Sequence, residues 1–342
     1  MSKPITTEIL PDNLPDHRAV KAWAALKPAR VEPDGIEILK LKNKSAVYRL
    51  VGVGEDGSSV VAKRCRVATA SVERMMYEEF LPRLPLPALR YFGHVDEPGG
   101  EFCWLFLENA DGPAYAPHDG AHRSLAARWL AGIQTAAVTA NLESRLPVRD
   151  ADYYLKLLLS TRDKLREHLV NPELHADDLR RLENLAAQLD AIEAHWHELQ
   201  EKCDGLPPTL VHGDFVTKNV RVRSSNGLAL LVFDWEYAGW GVPATDLSQF
   251  VGRTVSPDLE VYGTLVNGPL RAFGGERARG LAECGKFFRL IDDISWAASW
   301  LTFKSCLFLE KPMSYLKSYD LRVAEVLREA NWDSEIKGCS HA

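Results

Sequence analysis

The spacing of the apolar residues changes between residues 110 and 121, and this change limits the fold more than any other feature of the chain. Upstream, residues 36–39, 46–53, 59–63, 89–95 and 102–107 are short runs rich in β-branched and aromatic residues. They are parted by the turn material Gly54-Glu-Asp-Gly57 and Glu97-Pro-Gly-Gly100, the pattern of strands joined by turns. One helix is expected among them, over 71–84, with Val72, Met75, Met76 and Phe80 as its apolar stripe. Downstream the spacing is helical almost throughout, over 121–140, 151–169, 174–203, 257–272, 276–309 and 314–331. Inside that helical half, 209–211 and 228–233 are short apolar strands flanking a polar loop. The expected class is α+β: an extension over 1–33, a small β-rich lobe over 34–110 and a large helical lobe over 111–342.

Composition then removes several function classes. The net charge is −6 over 342 residues, which argues against a general nucleic-acid binder. No apolar run is long enough to span a membrane, and the first 30 residues lack the apolar core of a secretory signal. Six cysteines, at 65, 103, 203, 284, 306 and 339, form no C-x-x-C and read as reduced thiols in the cytoplasm. His195-Trp-His197 resembles a metal pair, but on a helix the two rings would point about 200° apart, and no HExxH surrounds them.

Gly52-Val-Gly54-Glu-Asp-Gly57 matches G-x-G-x-x-G. A strand follows it, not the helix that would hold a pyrophosphate, so a hairpin turn is expected. Asn43-Lys-Ser45 is a glycosylation sequon by pattern alone. The strongest motif is Leu210-Val-His212-Gly-Asp214-Phe-Val-Thr-Lys-Asn219-Val, followed by Leu230-Leu-Val-Phe-Asp234-Trp-Glu236. A strand leads into a loop carrying a carboxylate and, five residues on, a side-chain amide. A second apolar strand then ends in another carboxylate. Phosphoryl transfer needs a base for the hydroxyl proton and oxygen ligands for Mg²⁺, and H-x-D-x-x-x-x-N is the spacing of a kinase catalytic loop.

HGDFVTKNV and FDWEYAGWGVPATDL resemble the aminoglycoside phosphotransferase family of the protein-kinase-like superfamily, which also holds choline and ethanolamine kinases. The resemblance runs from about residue 36 to 330 and is most specific over 209–247. It implies a two-lobed kinase-like fold, with 34–110 binding ATP (or GTP) and 111–342 carrying catalysis and the acceptor. It further implies that Asp214 is the base, that Asn219 and Asp234 are Mg²⁺ ligands, and that His212 and Asp246 are structural.

Lys63 lies in the strand Val60-Val-Ala-Lys63. By itself it reads equally well as a solvent-facing lysine, but the resemblance gives it the α- and β-phosphates and a helical glutamate as partner. Glu73 is the candidate, because it shares a helix face with Met76, Tyr77 and Phe80, and an inward carboxylate needs a cation. Glu78 and Glu79 are expected nearer to water. The phosphate-covering loop departs from the kinase pattern: Lys42-Asn-Lys-Ser45 has no glycine, so Ser45 and nearby backbone N–H groups would serve. Trp104-Leu-Phe-Leu-Glu108-Asn-Ala110 matches the family's inter-lobe segment, which puts Glu108 and Ala110 beside the adenine; a plain edge strand is the alternative.

For the acceptor, a small molecule carrying a hydroxyl, the sequence offers Glu236 and a helix with Asp292, Trp296 and Trp300 at i, i+4 and i+8. A carboxylate beside aromatic faces suits a cationic amine, while a core tryptophan stripe with a solvated aspartate is the plainer reading. Asp-Trp-Glu-Tyr leans toward choline kinases and His-Gly-Asp toward aminoglycoside kinases. The functions in play are ATP-dependent transfer of the γ-phosphoryl group to a hydroxyl of an aminoglycoside-like amino sugar, a choline-, ethanolamine- or amino-sugar-type metabolic kinase, and a catalytically silent nucleotide binder.

Overall fold

The structure, a computed structural model, describes residues 7–9, 11–27, 32–42, 45–54, 57–139, 145–224, 227–302 and 306–333. Asn43, Lys44 and Cys339 lie outside them. The chain forms two compact units, Met1–Tyr115 with Lys218–Ala238, and Ala116–Thr217 with Gly239–Ala342. The expected boundaries, at 33 and 110, followed the chain in order; this division does not. Residues 218–238, from the middle of the helical half, group with the β-rich part, and of the stretch expected as an extension the described residues 7–9 pair with its sheet and 18–26 form a helix packed on it.

The first unit begins with strand β1 (Thr7–Ile9) and helix α1 (Arg18–Leu26), followed by β2 (Gly35–Lys42), β3 (Ser45–Val51) and β4 (Val60–Arg66). Helix α2 (Val67–Met75), β5 (Tyr91–Asp96) and β6 (Phe102–Glu108) follow. The strands form one sheet in the order β1-β2-β3-β4-β6-β5, each antiparallel to its neighbours. Gly52, Gly54 and Gly57 fall between the antiparallel strands β3 and β4, so a strand and not a helix follows the glycine motif. Strand β6 is interior to the sheet, which removes the edge-strand alternative.

Period-two alternation assigns β4 two different neighbours. Val60 and Ala62 pack with Ile36, Leu50, Trp104 and Phe106 against Trp23 of α1. Cys65, on the opposite face, packs with Cys103 and Leu105 against Ala70 of α2. With a helix on each face, β6 is buried continuously from Cys103 to Leu107, as a doubly covered strand must be. Lys63 belongs to the α2 face.

Helix α2 starts four residues before the expected position and ends at Met75. A π-helical turn, Met76–Phe80, and a 3₁₀ turn, Leu81–Arg83, follow it. Pro82, which has no N–H to donate, stands in that last turn and ends regular helix there.

The second unit opens with α3 (Gly120–Thr139), β7 (Val148–Arg149), α4 (Ala151–Glu167), α5 (Ala176–Ala194), α6 (Trp196–Cys203) and β8 (Thr209–Val211). His195 breaks the helix expected over 174–203; its ring stacks on Trp332. The chain then supplies the hairpin of β9 (Val220–Arg223) and β10 (Ala229–Val232) to the first unit. Back in the second unit come β11 (Gly239–Gly241), α7 (Ala244–Leu247), α8 (Leu259–Leu265), α9 (Glu276–Ala298) and α10 (Cys306–Glu329). The helix expected over 276–309 stops at Ala298. Strand β11 runs antiparallel to β8 and parallel to β7. Cys65, Cys103, Cys203 and Cys284 are buried free thiols. Among the described residues no helix is long and apolar enough to cross a membrane.

Candidate active site

In the first unit a lysine stands among three carboxylates. Lys63 Nζ donates to Glu73 Oε2 at 2.6 Å and to Asp234 Oδ1, and Glu236 Oε2 lies 3.8 Å away. Burial by itself would lower the lysine pKa, but Glu73, Asp234 and Glu236 outweigh it and hold the ammonium well above its ordinary value. Glu73 is 1% exposed, and its second oxygen is buried without a hydrogen-bond partner. Burial raises its pKa to about 7 against the pull of Lys63. Asp234 shifts the other way: burial would raise it, but Lys63 beside it holds it below the ordinary carboxylate range. Of the three glutamates on this stretch, Glu73 meets the lysine; Glu78 is exposed and pairs with Arg74, and Glu79 is half-buried.

The β9–β10 hairpin joins two more of the expected residues. Its register, Val220 opposite Val232, is extended by the Phe233 N–H donating to the Asn219 carbonyl at 3.1 Å. Asn219 and Asp234 therefore come to the same end of one short ladder. Asp234 has φ +68° and ψ +59°, a left-handed conformation that turns the chain sharply out of β10. An amide oxygen and a carboxylate are hard oxygen donors of the kind Mg²⁺ takes, and Mg²⁺ needs few protein ligands because phosphates and waters complete its shell. No group of three or more His, Cys, Asp or Glu is placed to hold a metal among the described residues; a two-residue oxygen set suits this sparse demand.

Ser45 opens β3 and pairs with Lys42. Glu108 is engaged within the unit. Its N–H donates to the Arg90 carbonyl at 2.8 Å, and its carboxylate accepts from the Arg90 N–H and the Arg223 guanidinium. The Glu108 N–H is thus already used. Ala110 is half-buried just beyond the strand end.

In the second unit the chain leaves β8 in a turn held from several sides. Asp246, on α7, accepts the His212 N–H at 2.7 Å and the Gly213 N–H at 3.1 Å. His212 Nδ1 accepts the Asp214 N–H at 3.2 Å. Gly213 has φ +76°, a conformation that a side chain would strain. Burial raises the Asp246 pKa to about 7, opposed by those two N–H bonds and by Arg289. Arg289, on α9, donates Nη2 to Asp214 Oδ1 at 2.6 Å and Nη1 to the Gly213 carbonyl at 3.0 Å. The sequence reading missed it. The usable signal was a charged residue inside the apolar run Phe287-Phe288-Arg289-Leu290-Ile291, which demands a buried partner.

The expected acceptor residues belong to both units. Glu236 is near Lys63 in the first unit. On α9, Asp292 is half-buried and lies 3.5 Å from Arg149. Its pKa is raised to about 6 by burial, against Arg149 and Arg289. Trp296 packs against Trp300 and Tyr315, with ring centroids 5.1 and 5.3 Å apart.

Three comparisons with known proteins bear on these residues. No curated protein matches the sequence. Among solved structures, the GDP and kanamycin complex of APH(2")-IIia aligns with a TM-score of 0.60 at 13% identity, over 88% of this chain and 97% of that one. Macrolide 2'-phosphotransferase type I aligns at 0.58 and 15% identity, over 91% and 98%. Choline kinase from Cryptosporidium parvum aligns at 0.55 and 12%, over 90% and 92%. At such identities the likeness is one of fold, and that fold is kinase-like and α+β. The model of the phosphotransferase enzyme family matches residues 41–281, the stretch that includes Lys63, Glu73, the His212–Asp214 turn, Asn219 and Asp234. The chain belongs to that family of small-molecule phosphotransferases.

Proposed function

We propose that this protein transfers the γ-phosphoryl group of ATP or GTP to a hydroxyl of an amino-sugar-like small molecule in the cytoplasm. The observation that carries the reading is the Lys63 cluster: a buried ammonium held by Glu73 and already touching Asp234. In this reading Lys63 neutralises the phosphates and Glu73 aims it. Asp214 orients the acceptor hydroxyl and accepts its proton. Asn219 and Asp234 would hold Mg²⁺, which when bound supplies positive charge to the phosphate oxygens. Ser45 and the backbone near Ala110 would face the nucleotide. Supporting a nucleotide donor, structures similar to this chain include complexes with GDP and with ADP; supporting an amino-sugar acceptor, one of them holds kanamycin.

A second acceptor class is favoured by the Trp296–Trp300–Tyr315 ring cluster, whose faces suit a quaternary ammonium such as choline. The test is a screen of purified protein with Mg·ATP and Mg·GTP against kanamycin, related amino sugars, choline and ethanolamine, with product detected by mass. Phosphorylated kanamycin supports the first reading and phosphocholine the second. Tight nucleotide binding without transfer to any acceptor, or to water, would leave a silent binder.

A further inference from the structure

We propose that Arg289 is the positioning residue for the base: its guanidinium grips the Asp214 carboxylate and the Gly213 carbonyl together and so fixes where the carboxylate points. The inference rests on the reading of Asp214 as the base. Three observations carry it. The grip is two-pointed, 2.6 Å to Asp214 Oδ1 and 3.0 Å to the Gly213 carbonyl, made from two nitrogens of one rigid plane, whereas an ammonium would make both bonds from a single rotating nitrogen and fix the direction less. It is buried, with side-chain exposures of 12% for Arg289 and 8% for Asp214. It also completes a bracket. Asp246 takes the two N–H groups of the turn from one side, while Arg289 takes its carbonyl and carboxylate.

The platform under the bracket is a single face of α9. Gly285 lies one turn before Arg289 on the same face. A Cβ there would stand 1.9 Å from the Ala244 carbonyl oxygen of α7. Only glycine lets α7 lie this close to α9, and α7 carries Asp246. Both halves of the bracket are therefore referenced to one helix. Asp293, 3.4 Å from Arg289, supports the guanidinium from the next turn. Burial would lower the arginine pKa, but Asp293, Asp214 and Asp292 keep it raised, so the fork is permanently charged.

The test compares wild type with R289K, R289Q and D214N by three readouts. These are mant-ATP affinity, Mg·ATP hydrolysis with water as the acceptor, and crystal structures with Mg²⁺ and a non-hydrolysable ATP analogue. R289Q should bind mant-ATP within about threefold of wild type and lose about 100-fold in kcat, the scale of a 1 Å misplacement, with KM for ATP unchanged. Its crystal structure should show the Asp214 carboxylate turned from its wild-type position. R289K, which keeps the charge but loses the fork, should melt near wild type and regain only part of kcat. An Asp214 carboxylate in its wild-type place in R289Q overturns the proposal, whatever the rates. So does R289K at full kcat, or a loss that falls entirely on mant-ATP binding. The base reading fails separately, if D214N hydrolyses ATP like wild type.

Discussion

The two units each bury a cation among carboxylates, and the two clusters are built to opposite specifications. In the first, one lysine faces Glu73, Asp234 and Glu236, a surplus of negative charge around a compact, single-point donor. In the second, two arginines share three aspartates: Arg289 pairs with Asp214 and Asp293, and Arg149 with Asp292. On the proposed function, a surplus of carboxylate suits a place that exchanges partners when a cation and phosphates arrive. Planar guanidinium groups, one of which also holds the Gly213 carbonyl, suit a place that is to be held still. On that reading the first cluster is the one expected to rearrange and the second the one expected to hold its geometry.

The largest expected effects come from breaking each cluster at its reacting group. Asp214→Asn should lower turnover by about 10²–10⁴-fold, the usual worth of a positioned base, with nucleotide affinity nearly intact by calorimetry. Asp234→Ala should instead abolish Mg²⁺-dependent nucleotide use, seen as loss of the metal's effect on mant-ATP binding. If the two variants showed the same defect, the contrast between the clusters would collapse.

Next come effects on folding. Lys63→Met leaves Glu73 buried without its cation, and breaking a buried pair from one side costs about 3–5 kcal/mol. Pairing it with Glu73→Leu should recover most of that loss in urea denaturation. In the second cluster, Asp246→Asn keeps one acceptor for two N–H groups and should cost about 1–3 kcal/mol. It should also change the pH dependence. With its folded pKa raised to about 7 from an ordinary 3.8, the wild-type carboxyl adds stability that is complete below the lower value. That stability is lost as pH rises toward the upper one, because the unfolded chain releases the proton first. Melting temperatures of Asp246→Asn should fall less steeply than wild type over that window. Smallest of all, Glu79→Gln should change stability by less than about 0.5 kcal/mol; a larger loss would bring Glu79 into the first cluster's account.

The parts legible in the sequence were those whose geometry is set by short covalent spacing. The loop from His212 to Asn219 and the strand ending at Asp234 are local, and the hairpin register that joins their ends follows from two apolar strands. Glu73 was legible because helical spacing put it with Met76, Tyr77 and Phe80, all of which are buried. Helix α1 was not, since Ala19, Val20, Ala22 and Trp23 become a core stripe only once a sheet lies beneath them. Arg289 and Arg149 were missed for a related reason: their partners are 75 and 143 residues away in sequence. The division of the chain into 1–115 with 218–238 is likewise a fact of long-range packing, invisible to any local period.

Asp234 sits in the left-handed region at φ +68°, where a side chain costs about 1 kcal/mol or more and glycine costs nothing. Asp234→Gly would relax that backbone while Lys63 kept Glu73 and Glu236. A library selected for heat resistance alone should therefore drift toward glycine at this position, and a library selected for phosphoryl transfer should hold the aspartate. Which of the two residues survives becomes a report on whether the protein's chemistry matters to the cell that carries it.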